Sequence, residues 1–171
     1  MSELYQYTFD PARKTYSFIT RSEIKVTVAI SRDRRWFSDN TEIKEVYSFD
    51  IVTDKPSLSI DIKIRNTIIK ILSDRLADVS AVIVYFCDPF DGKGAKRSLK
   101  FDRWFSCLEN KSIEKHNRQV FAIDEEIDEE GNTEKVETLL YTSMLLHNEN
   151  PLYKTLIRVF YSGDDNVTDK L

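Results

Sequence analysis

The chain has 171 residues, 41% hydrophobic and 12% aromatic, enough to bury one core and within the usual size of a single domain. Its net charge is -4, and the balance is uneven: residues 1–100 hold 17 Lys/Arg against 14 Asp/Glu, and residues 101–171 hold 8 against 15. That distribution disfavours a duplex-binding protein, which carries a strong basic excess on one face, and the longest apolar runs, such as Ala81 to Cys87, fall far short of the roughly 20 residues a membrane helix needs.

The start of the chain, with Glu3, Tyr5 and Gln6, lacks the basic segment and apolar region of a secretory leader. Cys87 and Cys107 show no CxxC spacing and no density of a disulfide scaffold, which fits a reducing, cytoplasmic compartment. His116 and His147 stand apart from both cysteines, so no structural metal site is expected. We expect one domain over residues 1–171, with 163–171 a polar, frayed tail.

Tyr5 to Phe9 and Thr15 to Ile19 alternate in polarity on either side of Asp10-Pro11-Ala12-Arg13, the pattern of a β-hairpin. Ile24, Val26, Val28 and Ile30 put four β-formers on one face of a third strand. A polar loop follows, and Ile43 to Val52 read as a fourth strand, with Val46, Ser48 and Asp50 opposite Tyr47, Phe49 and Ile51. From Ser59 the period changes: Ile60, Ile64, Ile68, Ile71 and Leu72 mark one face of a helix. Asp61 in its first turn would meet the positive end of the helix dipole.

Ala81 to Cys87 is continuously apolar, as expected of a central strand covered on both faces. After Asp88-Pro89-Phe90-Asp91-Gly92-Lys93-Gly94, residues Phe101, Trp104, Phe105 and Leu108 form the packing stripe of a second helix. Gln119 to Ile123 and Thr138 to Leu146 read as two strands of a long hairpin, with Asp124 to Glu130 as its acidic tip. Asn150-Pro151 starts a short last helix to Tyr161. The expected fold class is therefore α+β: one mixed, mostly antiparallel twisted sheet of about seven strands with two or three packed helices.

The most informative stretch runs from Tyr85 to Phe105, where a buried strand empties into an Asp- and Gly-containing loop that opens a basic helix. Lys93, Lys96 and Arg97, with the helix-start N–H groups, would hold a phosphate or carboxylate if they converge. The bland alternative, a solvated helix face, carries more weight, because Gly92-Lys93-Gly94 is not a phosphate loop. Asp88 and Asp91 would share a cation or proton, against the commoner role of closing Asx-turns. Arg32, Arg34 and Arg35 beside Trp36 would grip an acidic partner or stack on bases, against a loop of solvated charges. Cys87 reads as a buried, inert thiol, and the acidic tip as solvated, with partner docking as its secondary role.

Three blocks, Asp61-x-x-Ile64-x-x-Thr67-Ile68, Tyr85-x-Cys87-Asp88-x-x-Asp91-Gly92 and Arg97-x-x-x-Phe101-x-x-Trp104-Phe105, resemble an uncharacterised bacterial family found mainly in Bacteroidetes. The Tyr-rich N-terminal hairpin fits the same resemblance. No activity comes with it, so it implies a bacterial, cytoplasmic source and no catalytic residue. The element order, four strands, helix, strand, helix and a strand pair, is similar to the later part of the GNAT acyltransferase fold. That resemblance implies an acyl-CoA site at the turn between the fourth strand and the first helix, and Tyr141 on the last strand as a proton donor. The turn here is Asp54-Lys55-Pro56-Ser57-Leu58-Ser59, without the glycines that would present backbone donors to a pyrophosphate.

No nucleophile–base pair, metal cluster or phosphate loop stands out. The expected function is that of a non-enzymatic, partner-binding bacterial protein requiring no cofactor. Its expected partner is a protein, with an anionic small molecule second and neither nucleic acid nor membrane favoured. An acyl-CoA-dependent N-acyltransferase, or a degenerate relative of one, is the alternative. Nucleic-acid binding through the Arg32–Phe37 segment is the third reading.

Overall fold

A computed structural model describes residues 3–56, 61–127 and 130–162. These form strands β1 (Thr8–Asp10), β2 (Thr15–Ile19), β3 (Lys25–Arg32) and β4 (Val46–Thr53), helix α1 (Ile62–Arg75), β5 (Val82–Cys87), α2 (Gly94–Ser106), β6 (Ile113–Ile127), β7 (Thr133–His147) and α3 (Tyr153–Ser162). The strands make one sheet in the order β1-β2-β3-β4-β5-β7-β6. Every neighbouring pair is antiparallel except β4 and β5, which run parallel. The α+β class with a mixed, mostly antiparallel sheet is therefore correct. The expected tail, 163–171, and the start of the first helix pattern at Ser59 and Ile60 lie outside the described residues.

Local chemistry sets the turns. Asp10 Oδ1 accepts from the N–H groups of Ala12 and Arg13 at 2.9 and 3.2 Å, an Asx-turn that closes the β1–β2 hairpin. Strand β1 begins three residues later than the alternation from Tyr5 suggests. Tyr5 is committed elsewhere: its N–H donates to Thr67 Oγ1 at 2.8 Å and its hydroxyl donates to Asp61 Oδ2 at 2.6 Å. The N-terminal segment is thus stitched to α1 rather than to β2, with the Tyr5 ring stacked on Phe18 at 5.5 Å.

The sheet buries both faces around β5. On one face, α1 and α2 cover Val26, Val28, Ile30, Tyr47, Phe49, Ile83, Tyr85 and Leu145. On the other, Val46, Val82, Val84, Met144 and Leu146 pack with Phe37, Leu156 and Phe160, the last two from α3. Phe86 alone departs from full coverage, at 37% exposure. The stripe on α2 is also graded: Phe105 and Leu108 are buried, while Phe101 and Trp104 are half-buried against the same core.

Strand β6 starts at Ile113, well before the Gln119 suggested by its apolar residues. The first part, Glu114-Lys115-His116-Asn117-Arg118, is polar because β6 is the last strand of the sheet and its side chains reach sideways to helices. Asp124 to Ile127 likewise belong to the strand, so the acidic stretch is part of a long two-stranded arm; residues 128 and 129 are outside the described residues.

Val84 is fully buried between Val82 and Phe86 on the strand that both layers cover. Val84→Asp should abolish soluble expression of a cooperatively folded chain, because an unpaired buried carboxylate costs several kcal/mol, comparable to a domain's whole stability. A soluble variant with a sigmoidal urea transition would contradict the two-sided burial of β5.

Candidate functional site

The parallel pairing of β4 with β5 is confined to Val46–Val82 and Tyr47–Ile83. Beyond it, β4 runs on to Thr53 and β5 to Cys87 with no further pairing between them. In open sheets with parallel strands, ligands bind in the crevice where neighbouring strands part at their carboxyl ends. Here aromatic rings occupy that wedge. Phe49 on β4 and Tyr85 on β5 sit 4.5 Å apart, and Phe101 from α2 meets them edge-on at 5.8 and 5.4 Å. Trp104 continues the cluster at 5.3 Å from Phe101.

The first helix follows β4 in the chain and starts after residues 57–60, which lie outside the described residues. Its N-cap is Asp61, whose Oδ1 accepts from the N–H groups of Lys63 and Ile64 at 2.9 and 3.3 Å. A carboxylate already holds the donors that an incoming pyrophosphate would need, and its charge opposes an anion there. An open cleft of about 490 Å³ adjoins this cap, lined by Glu3, Arg21, Ser22, Asp61, Lys63 and Asn66 among others. Its charges pair internally, with Arg21 and Lys63 at 3.3 and 3.9 Å from Glu3.

At the carboxyl end of β5 the loop folds on itself. Asp88 Oδ1 accepts from Phe90 N–H, and Asp91 Oδ1 accepts from Lys93 N–H, so each carboxylate closes an Asx-turn. Arg97 then clasps Asp91 with both terminal nitrogens, each at 2.7 Å, and donates to the Asp88 carbonyl at 2.8 Å. Gly94 lets the helix start pack closely on the end of β5: a Cβ there would lie 3.3 Å from the Cys87 carbonyl oxygen. Arg97 therefore points back to the loop, Lys93 leans toward the same carboxylate at 3.9 Å, and Lys96 is exposed. The three cations do not converge on an open anion site. Among the described residues no three His, Cys, Asp or Glu side chains gather as a metal-binding group.

A polar network that motif reading missed lies on the α2 face. Lys115, with its side chain 10% exposed, donates to Asp102 Oδ1 at 2.6 Å, to Ser143 Oγ at 3.0 Å and to Asn117 Oδ1. Asn117 donates to Asp102 at 2.9 Å and accepts from Ser143 at 2.8 Å. The buried Tyr85 hydroxyl faces Ser143 without the alignment of a formed hydrogen bond. Tyr141 is the strand partner of Cys87 and packs, half-buried, on the edge of this core. The only sequence signal was Lys115 and Asn117 at alternate positions, facing Asp102 of a helix that had first to be placed.

Tyr85, Cys87 and Asp102 are held in their ordinary charge states near neutral pH. Burial pushes the Tyr85 phenol well up, and it raises the Cys87 thiol to about 11 despite the opposing pull of Lys115 and Arg97. Burial also raises Asp102, but the hydrogen bonds from Lys115 and Asn117 outweigh it and leave the carboxyl below its usual range. A proton-transfer site works best with a group poised near the operating pH, and none of these three is so poised.

The basic segment is spent locally. Arg35 binds Asp33 through two nitrogens at 2.9 and 2.7 Å, Arg32 meets Glu45 at 2.5 Å, and Arg34 donates to the carbonyls of Ile43 and Asn40. Trp36 packs against Val120, Ala122 and Leu140. This segment clamps the root of the β6–β7 arm.

The Asp91–Arg97 clasp has a measurable pH signature. Hydrogen bonding from Arg97 lowers the Asp91 carboxyl to about 2, so the clasp is present above the ordinary carboxylate range and is lost as pH falls through about 2. Carboxyl NMR titration should place the Asp91 midpoint there, and Arg97→Ala should return it toward about 3.9, the unperturbed value. An ordinary midpoint in the wild type would contradict the clasp.

No curated protein and no solved structure matches the chain. A family model does match, over residues 60–162, a span that holds α1, β5, the loop, α2, the whole arm and α3 but neither the N-terminal hairpin nor β3 and β4 with Phe49. On that match, covering more than half of its length, the chain belongs to a family of unknown function, DUF6169.

Proposed function

We propose that the chain is a binding protein of the bacterial cytosol that captures an extended, basic and apolar protein segment along its β6–β7 arm. The observation that carries this reading is the free edge of β7. Strand β5 pairs with β7 only from Tyr141 to Leu146, whereas β6 pairs with β7 from Thr133 to His147. Among the described residues no strand lies beside Thr133–Leu140 on the β5 side. An unpaired row of backbone donors and acceptors is a template for an added strand.

The side chains supply direction and selectivity. One face of the arm, Val120, Ala122 and Leu140, is buried with Trp36. The other carries Phe121 at 46% exposure with half-buried Leu139, Ile123 and Tyr141. Toward the tip, Glu125, Glu126, Glu134 and Glu137 are exposed beside a single cation, Lys135. Like charge keeps two such arms from pairing with each other, and a basic segment with apolar anchors is the complement. Free Cys87 and Cys107 fit a reducing compartment.

The ancestry suggested by element order belongs to the same reading. The parallel β4–β5 pair and the order of strands and helices support a GNAT-like arrangement, and the Bacteroidetes resemblance supports a bacterial source. The aromatic filling of the wedge and the Asp61 cap favour a relative that has exchanged acyl-CoA chemistry for binding. For nucleic acid, the arginines of residues 32–35 are already neutralised by Asp33 and Glu45 or held by carbonyls, which disfavours that reading.

A fluorescein-labelled peptide of alternating Lys and Leu tests this proposal, with its Glu/Leu counterpart as the control. Anisotropy should report saturable binding of the basic peptide alone. Phe121→Ser with Leu139→Ser should weaken binding at least about tenfold, roughly 1.4 kcal/mol, and the affinity should fall with salt. Equal binding of the acidic peptide, or no effect of the arm substitutions, would overturn it.

A further inference from the structure

On the sheet face opposite α2, strand β6 and helix α3 assemble four side chains that the binding reading does not use. Glu114 and His116 lie two residues apart on β6 and so share a face. Tyr153 and Tyr161 stand two turns apart on α3. Glu114 Oε2 accepts from the Tyr153 hydroxyl at 2.5 Å and lies 3.1 Å from His116 Nε2. His116 Nδ1 lies 3.3 Å from the Tyr161 hydroxyl.

The polarity of this chain follows from the carboxylate. An ionised carboxylate only accepts, so the neutral imidazole carries its hydrogen on Nε2, and Nδ1 presents a lone pair. The Tyr161 hydroxyl is then the donor to Nδ1. Glu114 stays ionised because the hydrogen bond from Tyr153, and then the one from His116, outweigh its burial and lower its pKa. The imidazole is mostly buried and walled by both tyrosine rings, at 6.3 and 6.1 Å, while Tyr161 is 49% exposed. A hydroxyl open to solvent, a base in reach of its proton and a third group orienting the base are the parts of an activated nucleophile.

We propose that Tyr161 is the reactive phenol of this chain and a site of O-acylation, with His116 as general base and Glu114 holding the base in its tautomer. In the step, the Tyr161 oxygen bonds to the carbonyl carbon of an activated acyl donor as its proton passes to His116 Nδ1. Collapse of the tetrahedral adduct breaks the bond to the leaving group, which takes up that proton and restores the neutral imidazole. No oxidant or reductant is involved. A neutral acyl donor suits the site better than a phosphoryl donor, because the Glu114 carboxylate stands behind the base and Arg118 is engaged with the Phe160 carbonyl at 2.8 Å.

N-acetylimidazole is the probe, with acetylation followed at each tyrosine by peptide mass mapping at neutral pH and N-acetyltyrosinamide as the unactivated reference. Tyr161 should acetylate at least about tenfold faster than the reference, the low end of what a positioned base contributes, and hydroxylamine should reverse the label. His116→Asn should bring Tyr161 to the reference rate while half-buried Tyr16 keeps its own, and Glu114→Gln should slow Tyr161 several-fold. If His116→Asn does not fold, Glu114→Gln decides alone. A wild-type rate at or below the reference, or rates unchanged by the substitutions that fold, would overturn the assignment and leave the cluster as a clamp for α3.

Discussion

The two-residue parallel junction between β4 and β5 is the constraint on which the rest of this structure depends. Because the strands pair only at Val46–Val82 and Tyr47–Ile83, they diverge at the middle of the sheet, and something has to fill the space between them. Phe49, Tyr85 and Phe101 do so. Ring contacts of this kind stabilise by about 0.5–1.5 kcal/mol each beyond area burial. They also fix the height of α2 over the sheet. That height brings Gly94 against the Cys87 carbonyl, Arg97 over the Asp88–Asp91 turn and Asp102 within reach of Lys115. The loop and the polar network are thus consequences of how the wedge is packed.

Strand β6 shows how a polar edge strand can be fully used. Its odd positions, Lys115 and Asn117, lock onto Asp102 beneath α2, and its even positions, Glu114 and His116, meet Tyr153 and Tyr161 of α3. One strand therefore ties both helical layers to the sheet. Farther along, where no helix follows, the same strand and β7 extend as an arm whose buried face rests on Trp36. The arginines around that tryptophan are engaged by Asp33, Glu45 and backbone carbonyls, which leaves acidic side chains and, among the described residues, an unpaired β7 edge as the arm's outward chemistry.

Much of the fold was legible in the sequence because it rests on periodicity. The alternation of Val26, Val28 and Ile30, the unbroken Ala81–Cys87 run and the Phe101–Leu108 stripe each mark the element that formed. Sequence pattern and structure part where polar partners replace apolar periodicity. Tyr5 looks like a strand residue, yet its donors go to Thr67 and Asp61, 62 and 56 residues away. The first part of β6, Glu114 to Arg118, carries five polar residues whose partners sit on two helices. The site was less legible than the fold. Asp88, Asp91, Lys93 and Arg97 were found by residue type, but whether they bind a ligand or one another depends on the direction of the Arg97 side chain, which no local spacing encodes. The Glu114–His116–Tyr161 relay spans 45 residues between its base and its phenol, and Tyr141 packs half-buried at the edge of the core.

Among the described residues, Phe49, Tyr85 and Phe101 pack together between β4 and β5 and Asp61 caps α1, an arrangement that disfavours an acyl-CoA cofactor there. Calorimetric titration of acetyl-CoA into the wild-type chain tests it most directly. No heat beyond dilution is expected at any concentration up to the millimolar range. A saturable, one-to-one isotherm with micromolar affinity would contradict it.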